Sequence, residues 1–158
     1  MLRKEILRTS PTVPRPSGMD VAALGTVLVT SEDPDHPIDH AFDGRRGPGA
    51  SRWISSEPGE QAVIVAFDAP QSIRNVLVEV DEPDVARTQE LEVSLSTDGG
   101  RTYRHVLRQE YNFSPTGSTH EQERWSVVAD GVTHVRLTIT PDKGGTACRA
   151  TLTTLALE

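Results

Sequence analysis

His36–Asp68 reads HPIDHAFDGRRGPGASRWISSEPGEQAVIVAFD, and the rest of the chain is arranged around it. The segment divides into one helical turn, a glycine-rich loop, a lone tryptophan and a strongly patterned strand. Pro37 suits a first helical position, where a missing N–H costs nothing, and Gly44 suits the left-handed residue that closes a turn. Ile38, Ala41 and Phe42 give the turn an apolar side, and Trp53 offers a large group to cap a core. Gln61–Phe67 (QAVIVAF) is apolar enough to predict a strand buried on both faces.

Working outward, Asp68–Gln71 predicts a turn and Ser72–Val80 a further strand, with Val76, Val78 and Val80 on one face. Gln89–Ser96 alternates cleanly, Leu91, Val93 and Leu95 against Glu90, Glu92 and Ser94. Thr97-Asp98-Gly99-Gly100 is a hairpin signal, because paired glycines supply positive φ, and Tyr103–Gln109 returns as the partner strand. Tyr111–His120 reads as a long polar loop. Glu123–Val128, Thr133–Thr140 and Ala150–Leu157 predict three more strands, separated by Asp130-Gly131 and by Pro141–Thr146. Upstream, Leu24–Thr30 is rich in β-branched residues and predicts a strand. Pro11, Pro14 and Pro16 exclude helix before it, and Leu2–Arg8 reads either as a frayed tail or as a short amphipathic turn with Leu2, Ile6 and Leu7 on one side. The fold class is all-β: an antiparallel β-sandwich, jelly-roll-like, of about eight strands. Residues 1–20 form an N-terminal extension and residues 21–158 one domain.

Composition narrows the function classes. A chain of 158 residues with 35% hydrophobic and 25% charged residues is an ordinary globular domain. Its net charge of −7 argues against phosphate backbones and anionic membranes as partners. The single cysteine, Cys148, excludes an internal disulfide and fits a reducing compartment. No apolar run is long enough to cross a bilayer as a helix, and Met1–Arg8 lacks the apolar core of a secretory signal, so the expected location is cytoplasmic.

Catalytic signatures are missing: there is no nucleophile elbow, Walker loop or dinucleotide fingerprint, and nothing fixes a carboxylate pair at a set separation. The expectation is a non-enzyme. His36, Asp39, His40 and Asp43 have the helical spacing of a zinc site, but Pro37 and Gly44 leave too short a helix for a shared face. The candidate binding surface is split in sequence. If the strands follow one another as hairpins, Glu79–Gln89 and Tyr111–Arg124 emerge at the same end of the sandwich. Sugar recognition needs a flat aromatic for stacking, with amides, carboxylates and arginine for paired hydroxyls. Glu79, Arg87, Gln89, Glu110, Tyr111 and Asn112 supply that inventory; the alternative is a solvated rim whose ion pairs contribute little.

The order of these pieces resembles the galactose-binding-like β-sandwich superfamily, which includes discoidin (coagulation-factor type C) domains and many carbohydrate-binding modules. The resemblance rests on AFDG at Ala41–Gly44, Ser-Arg-Trp at Ser51–Trp53, QAVIVAFDAPQSIRNVLVEV over 61–80, STDGGRTY at Ser96–Tyr103 and the closing ATLTTLALE, and covers Leu24 to Glu158. It implies a noncatalytic module binding a carbohydrate or other small polar ligand through loops at one end. It also implies a structural calcium held by Asp43, Ser51 and Glu158, against the alternative that Asp43 caps its own turn. The chain departs from the pattern in having no cysteine pair and only 4% aromatic residues. An intracellular protein-interaction or assembly domain, with self-association as a homo-oligomer, is therefore the competing reading. Nucleic-acid binding, as in a similar sandwich of an animal strand-break repair scaffold, is disfavoured by the charge.

Overall fold

The computed structural model describes residues 18–158. The Leu2–Arg8 turn and the proline segment expected upstream lie outside the described residues. A one-turn helix α1 (Val21–Leu24) leads into eight strands: β1 Gly25–Val29, β2 Trp53–Pro58, β3 Gln61–Asp81, β4 Arg87–Ser96, β5 Arg104–Phe113, β6 His120–Thr140, β7 Arg149–Leu152 and β8 Thr154–Leu157. A 3-10 turn, Ile38–Phe42, follows β1, with Pro37 in its N-cap and Gly44 at φ 75° just past its end.

All the pairings are antiparallel. The main sheet runs β1-β3-β6-β4-β5 with β8 also on β3, and β2 and β7 form a separate ribbon. The sandwich arises because β3 and β6 are long and change partners midway. The first part of β3 pairs with β1 and with the last part of β6, which also pairs with β4. The last part of β3 pairs with the first part of β6 and with β8. Inward rows from the two layers then meet: Val63, Val65, Leu91, Val93, Leu137 and Ile139 face Val76, Val78, Val80, Leu155 and Leu157 in one core.

Several strand boundaries differ from the sequence expectation: Trp53–Pro58 is a strand, β5 runs on through Tyr111 to Phe113, β6 begins at His120, and three further breaks are displaced. The turn expected at Asp68–Gln71 lies inside β3, where register shifts between Ala66 and Asn75 bend the strand. Pro70, which has no N–H to donate, falls in the stretch of β3 without paired residues, so it costs the ladder nothing. Asp130-Gly131 likewise bends β6 without ending it. The closing strand instead breaks at Thr153, because β7 pairs with β2 and β8 with β3. Gln61–Phe67 is buried on one face only: Val63 and Val65 are enclosed, while Ala62, Ile64 and Ala66 are half-buried.

Trp53 is fully enclosed, and its indole N–H donates to the Ser31 carbonyl at 3.0 Å, tying the long β1–β2 connection to the core. At the opposite end, Asp98 closes the β4–β5 hairpin. It accepts from the Thr102 hydroxyl, from the Arg101 and Thr102 amides and from Ser96, with Gly99 and Gly100 at φ 79° and 83°. These donors, Thr102 first, hold the Asp98 carboxyl well below the usual carboxylate range.

Two outcomes follow from this packing. Trp53→Ala removes a filled core position and should cost about 3–5 kcal/mol in denaturant unfolding; a loss below ~1 kcal/mol would contradict the packing. Because the Asp98 pKa is depressed by folding, its contribution is present above the unfolded carboxylate value and lost as pH falls through the folded one. Asp98→Asn should therefore lower Tm at pH 7, and the gap to the unaltered protein should close in acid.

Candidate functional site

Strand register gathers the candidate loops at one end. Arg87 pairs with Phe113, Asp81 with His120 and Glu90 with Thr140, so residues 82–86, 114–119 and 141–148 leave the sandwich together. The glycine-rich loop 43–52 joins them, since the Gly47 amide donates to Glu79 and the Gly49 amide to Asp81. The two polar connections expected at one end do share it.

Alternation decides which of the six candidate ligand-binding side chains faces outward. On β4, Arg87 and Gln89 continue the inward row of Leu91, Val93 and Leu95. Arg87 is 6% exposed and donates to the Arg149 carbonyl at 2.6 Å, Thr151 Oγ1 at 2.7 Å, Gln89 Oε1 at 3.0 Å and Glu82 Oε2 at 3.1 Å. Gln89, wholly buried, donates to the Thr151 carbonyl at 3.1 Å. The pair is a polar plug that closes the core, not part of the rim. Tyr111 faces inward beside Gln89 at 4% exposure, edge-on to Phe113, with its hydroxyl donating to Glu123 at 3.2 Å. Burial, reinforced by Glu123, pushes that phenol well above its ordinary range. No stacking face is left on it.

Glu79 points away from the core, but loop 43–52 lies over it and leaves it 0% exposed. Gly47 and Gly49 have φ of 92° and 79°, values that side-chain-bearing residues avoid, and this lets successive amides aim at β3. Of the six, Glu110 and Asn112 remain outward. Asn112 Oδ1 accepts from Thr88 Oγ1 at 2.6 Å, and Glu110 accepts from Lys143 Nζ at 2.6 Å. Lys143 also reaches Glu90 at 3.1 Å, and these bonds, Glu110 first, raise its pKa. Asp142 accepts from Thr146 Oγ1 and the Gly144 and Thr88 amides, chiefly the hydroxyl, which holds its carboxyl low.

Two further charged groups border this end. Arg52 bridges the Asp81 carbonyl, Glu82 and Asp84 at 2.8, 3.1 and 3.3 Å. Arg149 pairs with Asp33 at 2.9 Å, and Asp33 also contacts His36 at 3.3 Å. The Asp35 amide, then Arg149 and His36, hold Asp33 below its ordinary range. Arg52 lay within the Ser-Arg-Trp motif; Arg149, Asp33 and Lys143 carried no local signal, because their partners are distant in sequence.

The expected metal ligands do not converge. Asp43 accepts from the Ser51 hydroxyl and, at 2.9 Å, from the Arg45 amide, so it caps its own loop. Glu158 is held by Arg124 and Asn75, four residues along β8 from Thr154, whose hydroxyl bonds the Arg45 carbonyl of that loop. Four residues of strand span about 13 Å, and a carboxylate so placed does not complete a shell around Asp43 and Ser51. The residues present do not fit the expected calcium. His36, Asp39, His40 and Asp43 also fail to meet: the His40 Nδ1 contacts the Arg52 carbonyl at 3.0 Å, while His36 turns to Asp33. Among the described residues, no group of three or more His, Cys, Asp or Glu is placed to hold a metal.

The F5/8 type C domain family matches residues 26–152, and the chain belongs to that family. Solved structures share the fold. One is the family 32 carbohydrate-binding module of C. perfringens NanJ in complex with galactose, 15% identical with a TM-score of 0.61, covering 84% of this chain and 91% of that one. Another is chitosan-binding module 1 from a Paenibacillus sp. IK-5 chitosanase/glucanase, 20% identical with a TM-score of 0.57, covering 87% and 97%. A third is the CBM32 of AlyQ in complex with 4,5-unsaturated mannuronic acid, 18% identical with a TM-score of 0.61, covering 85% and 95%. No curated protein sequence matches the chain.

Arg87→Ala leaves Glu82, Gln89 and Thr151 without their shared donor and should cost about 3–5 kcal/mol of stability. Urea unfolding checks this; a stable variant would show that Arg87 is not a structural plug.

Proposed function

We propose that this protein is a noncatalytic carbohydrate-binding module whose ligand rests on the loop end of the sandwich. The observation that carries the reading is the convergence of residues 82–86, 114–119 and 141–148 with loop 43–52 at one end. Family membership and the fold shared with sugar-binding modules support it. The contacts come from Asn112 and Glu110, which alternation on β5 turns outward, from Lys143 paired with Glu110, and from the Arg149–Asp33 pair. An amide and charged groups of both signs bond paired sugar hydroxyls as donors and acceptors. The modules sharing the fold are named for different sugars, so the choice of sugar is specific to this rim.

One observation favours a second reading, a protein-interaction domain. Trp53, Tyr111 and Phe113 are buried, and Phe42, beside loop 43–52, is half-buried against the core. A polar rim without a fully exposed stacking ring suits a protein surface as well as a sugar.

A glycan array followed by calorimetry separates the two. Binding to an oligosaccharide, weakened about tenfold or more by Asn112→Ala or Lys143→Ala at unchanged Tm, is the expected result. A folded protein that binds no glycan across the array overturns the carbohydrate reading and leaves the protein-interaction one.

A further inference from the structure

His120 stands at the start of β6 with its imidazole between two carboxylates of β3. Its Nε2 lies 3.4 Å from Glu79 Oε1 and its Nδ1 3.8 Å from Asp81 Oδ1. The same carboxylates hold the glycine-rich loop: Gly47 N–H donates to Glu79 Oε1 at 2.5 Å, and Gly49 N–H to Asp81 Oδ2 at 2.9 Å. Glu79 Oε2 and His120 Nδ1 are buried with no hydrogen-bond partner. Two enclosed carboxylates thus share one imidazole under one loop.

We propose that His120 is a proton-operated latch for loop 43–52, seating it when charged and loosening it when neutral. A neutral imidazole carries one N–H, so it serves one carboxylate and turns a lone pair toward the other. The imidazolium turns an N–H toward each, an ionic contact at 3.8 Å on the Asp81 side. It places a positive charge between two anions in a partly enclosed pocket, where such attraction is stronger than in open water. Seating the loop removes Glu79 and Asp81 from water; the Gly47 and Gly49 amides offset part of that cost, and the cation offsets the rest. Loop closure is therefore linked to proton uptake: the loop is firm while the imidazole is charged and loosens when it is neutral.

No other cation sits between these two carboxylates among the described residues. From the loop itself, Arg45 and Arg46 pair with neither. Arg52 reaches the Asp81 carbonyl, Glu82 and Asp84 but not the Glu79 or Asp81 carboxylate, so it fixes the end of the loop and leaves Gly47–Gly49 to the latch. From residues 82–86, Glu82 and Asp84 are engaged by Arg52 and Arg87. On β6, the neighbouring Glu121 accepts from the Ser118 hydroxyl. On β8, Thr154, which pairs with Glu79, is uncharged. The inference rests on these contacts and holds whichever ligand the rim binds.

The test is amide exchange and histidine-ring titration by NMR on the intact protein from pH 5 to 8. Protection of the Gly47 and Gly49 amides, corrected for intrinsic exchange, should fall about tenfold, with the midpoint of the His120 ring. Gly99 and Gly100 in the distant hairpin should not follow it. In His120→Gln the transition should vanish. Flat protection at Gly47 and Gly49, a midpoint apart from that of His120, or a transition that survives in His120→Gln overturns the latch. If that variant does not fold, coincidence or non-coincidence of the midpoints in the unaltered protein decides alone.

Discussion

Everything in this molecule depends on β3 and β6 staying paired while they bend together from one layer of the sandwich into the other. Each is 21 residues long, and each supplies one half to each layer. Because the two cross together, the inward rows of both layers are fixed in relation to each other, and so are the strands that pair with them. The position of the loop end follows. Asp81 meets His120 where the long strands finish in one layer, and Thr140 meets Glu90 where they finish in the other.

That end is sealed by polar groups, not apolar ones. Arg87 and Gln89 continue an inward row that is otherwise leucine and valine, and they bond to the backbone and hydroxyl of β7. A buried arginine is costly unless it is paired, and here four acceptors meet the two terminal nitrogens of Arg87, while its Nε is left without a partner. The arrangement fastens residues 82–86 and β7 to the scaffold, so the rim loops stand on a fixed base. Glu79 and Asp81 do the same for loop 43–52 on the outer side of β3. Positioning and ligand contact are thereby assigned to different side chains of the same short segments.

The fold was largely legible because period-two alternation is a local signal. Leu91, Val93 and Leu95 face the core as read, Trp53 caps it, and Asp98 with its paired glycines turns the hairpin. The strand breaks were not legible. Pro70 and Asp130-Gly131 look like turns, and only the register shows that both strands bend through them. The site was legible in position but not in detail. Glu79, Arg87 and Gln89 are polar types that normally face water, and what buries them comes from elsewhere in the chain: Gly47, Arg149 and Thr151. Tyr111 was read as a loop aromatic, yet β5 extends through it and alternation turns it inward. The calcium ligands implied by resemblance failed for a related reason. Glu158 lies just past the end of β8, four residues from Thr154, where Arg124 claims it.

The most direct measurement is a titration of nitrogen-15-labelled protein with neutral, acidic and amino-sugar oligosaccharides, followed by amide chemical shift. Shifts confined to residues 110–112, 141–149 and the neighbouring loop 43–52 are the expected result. Shifts centred on the 97–103 hairpin at the opposite end, or on the outer face of β8, would contradict ligand binding at the loop end of the sandwich.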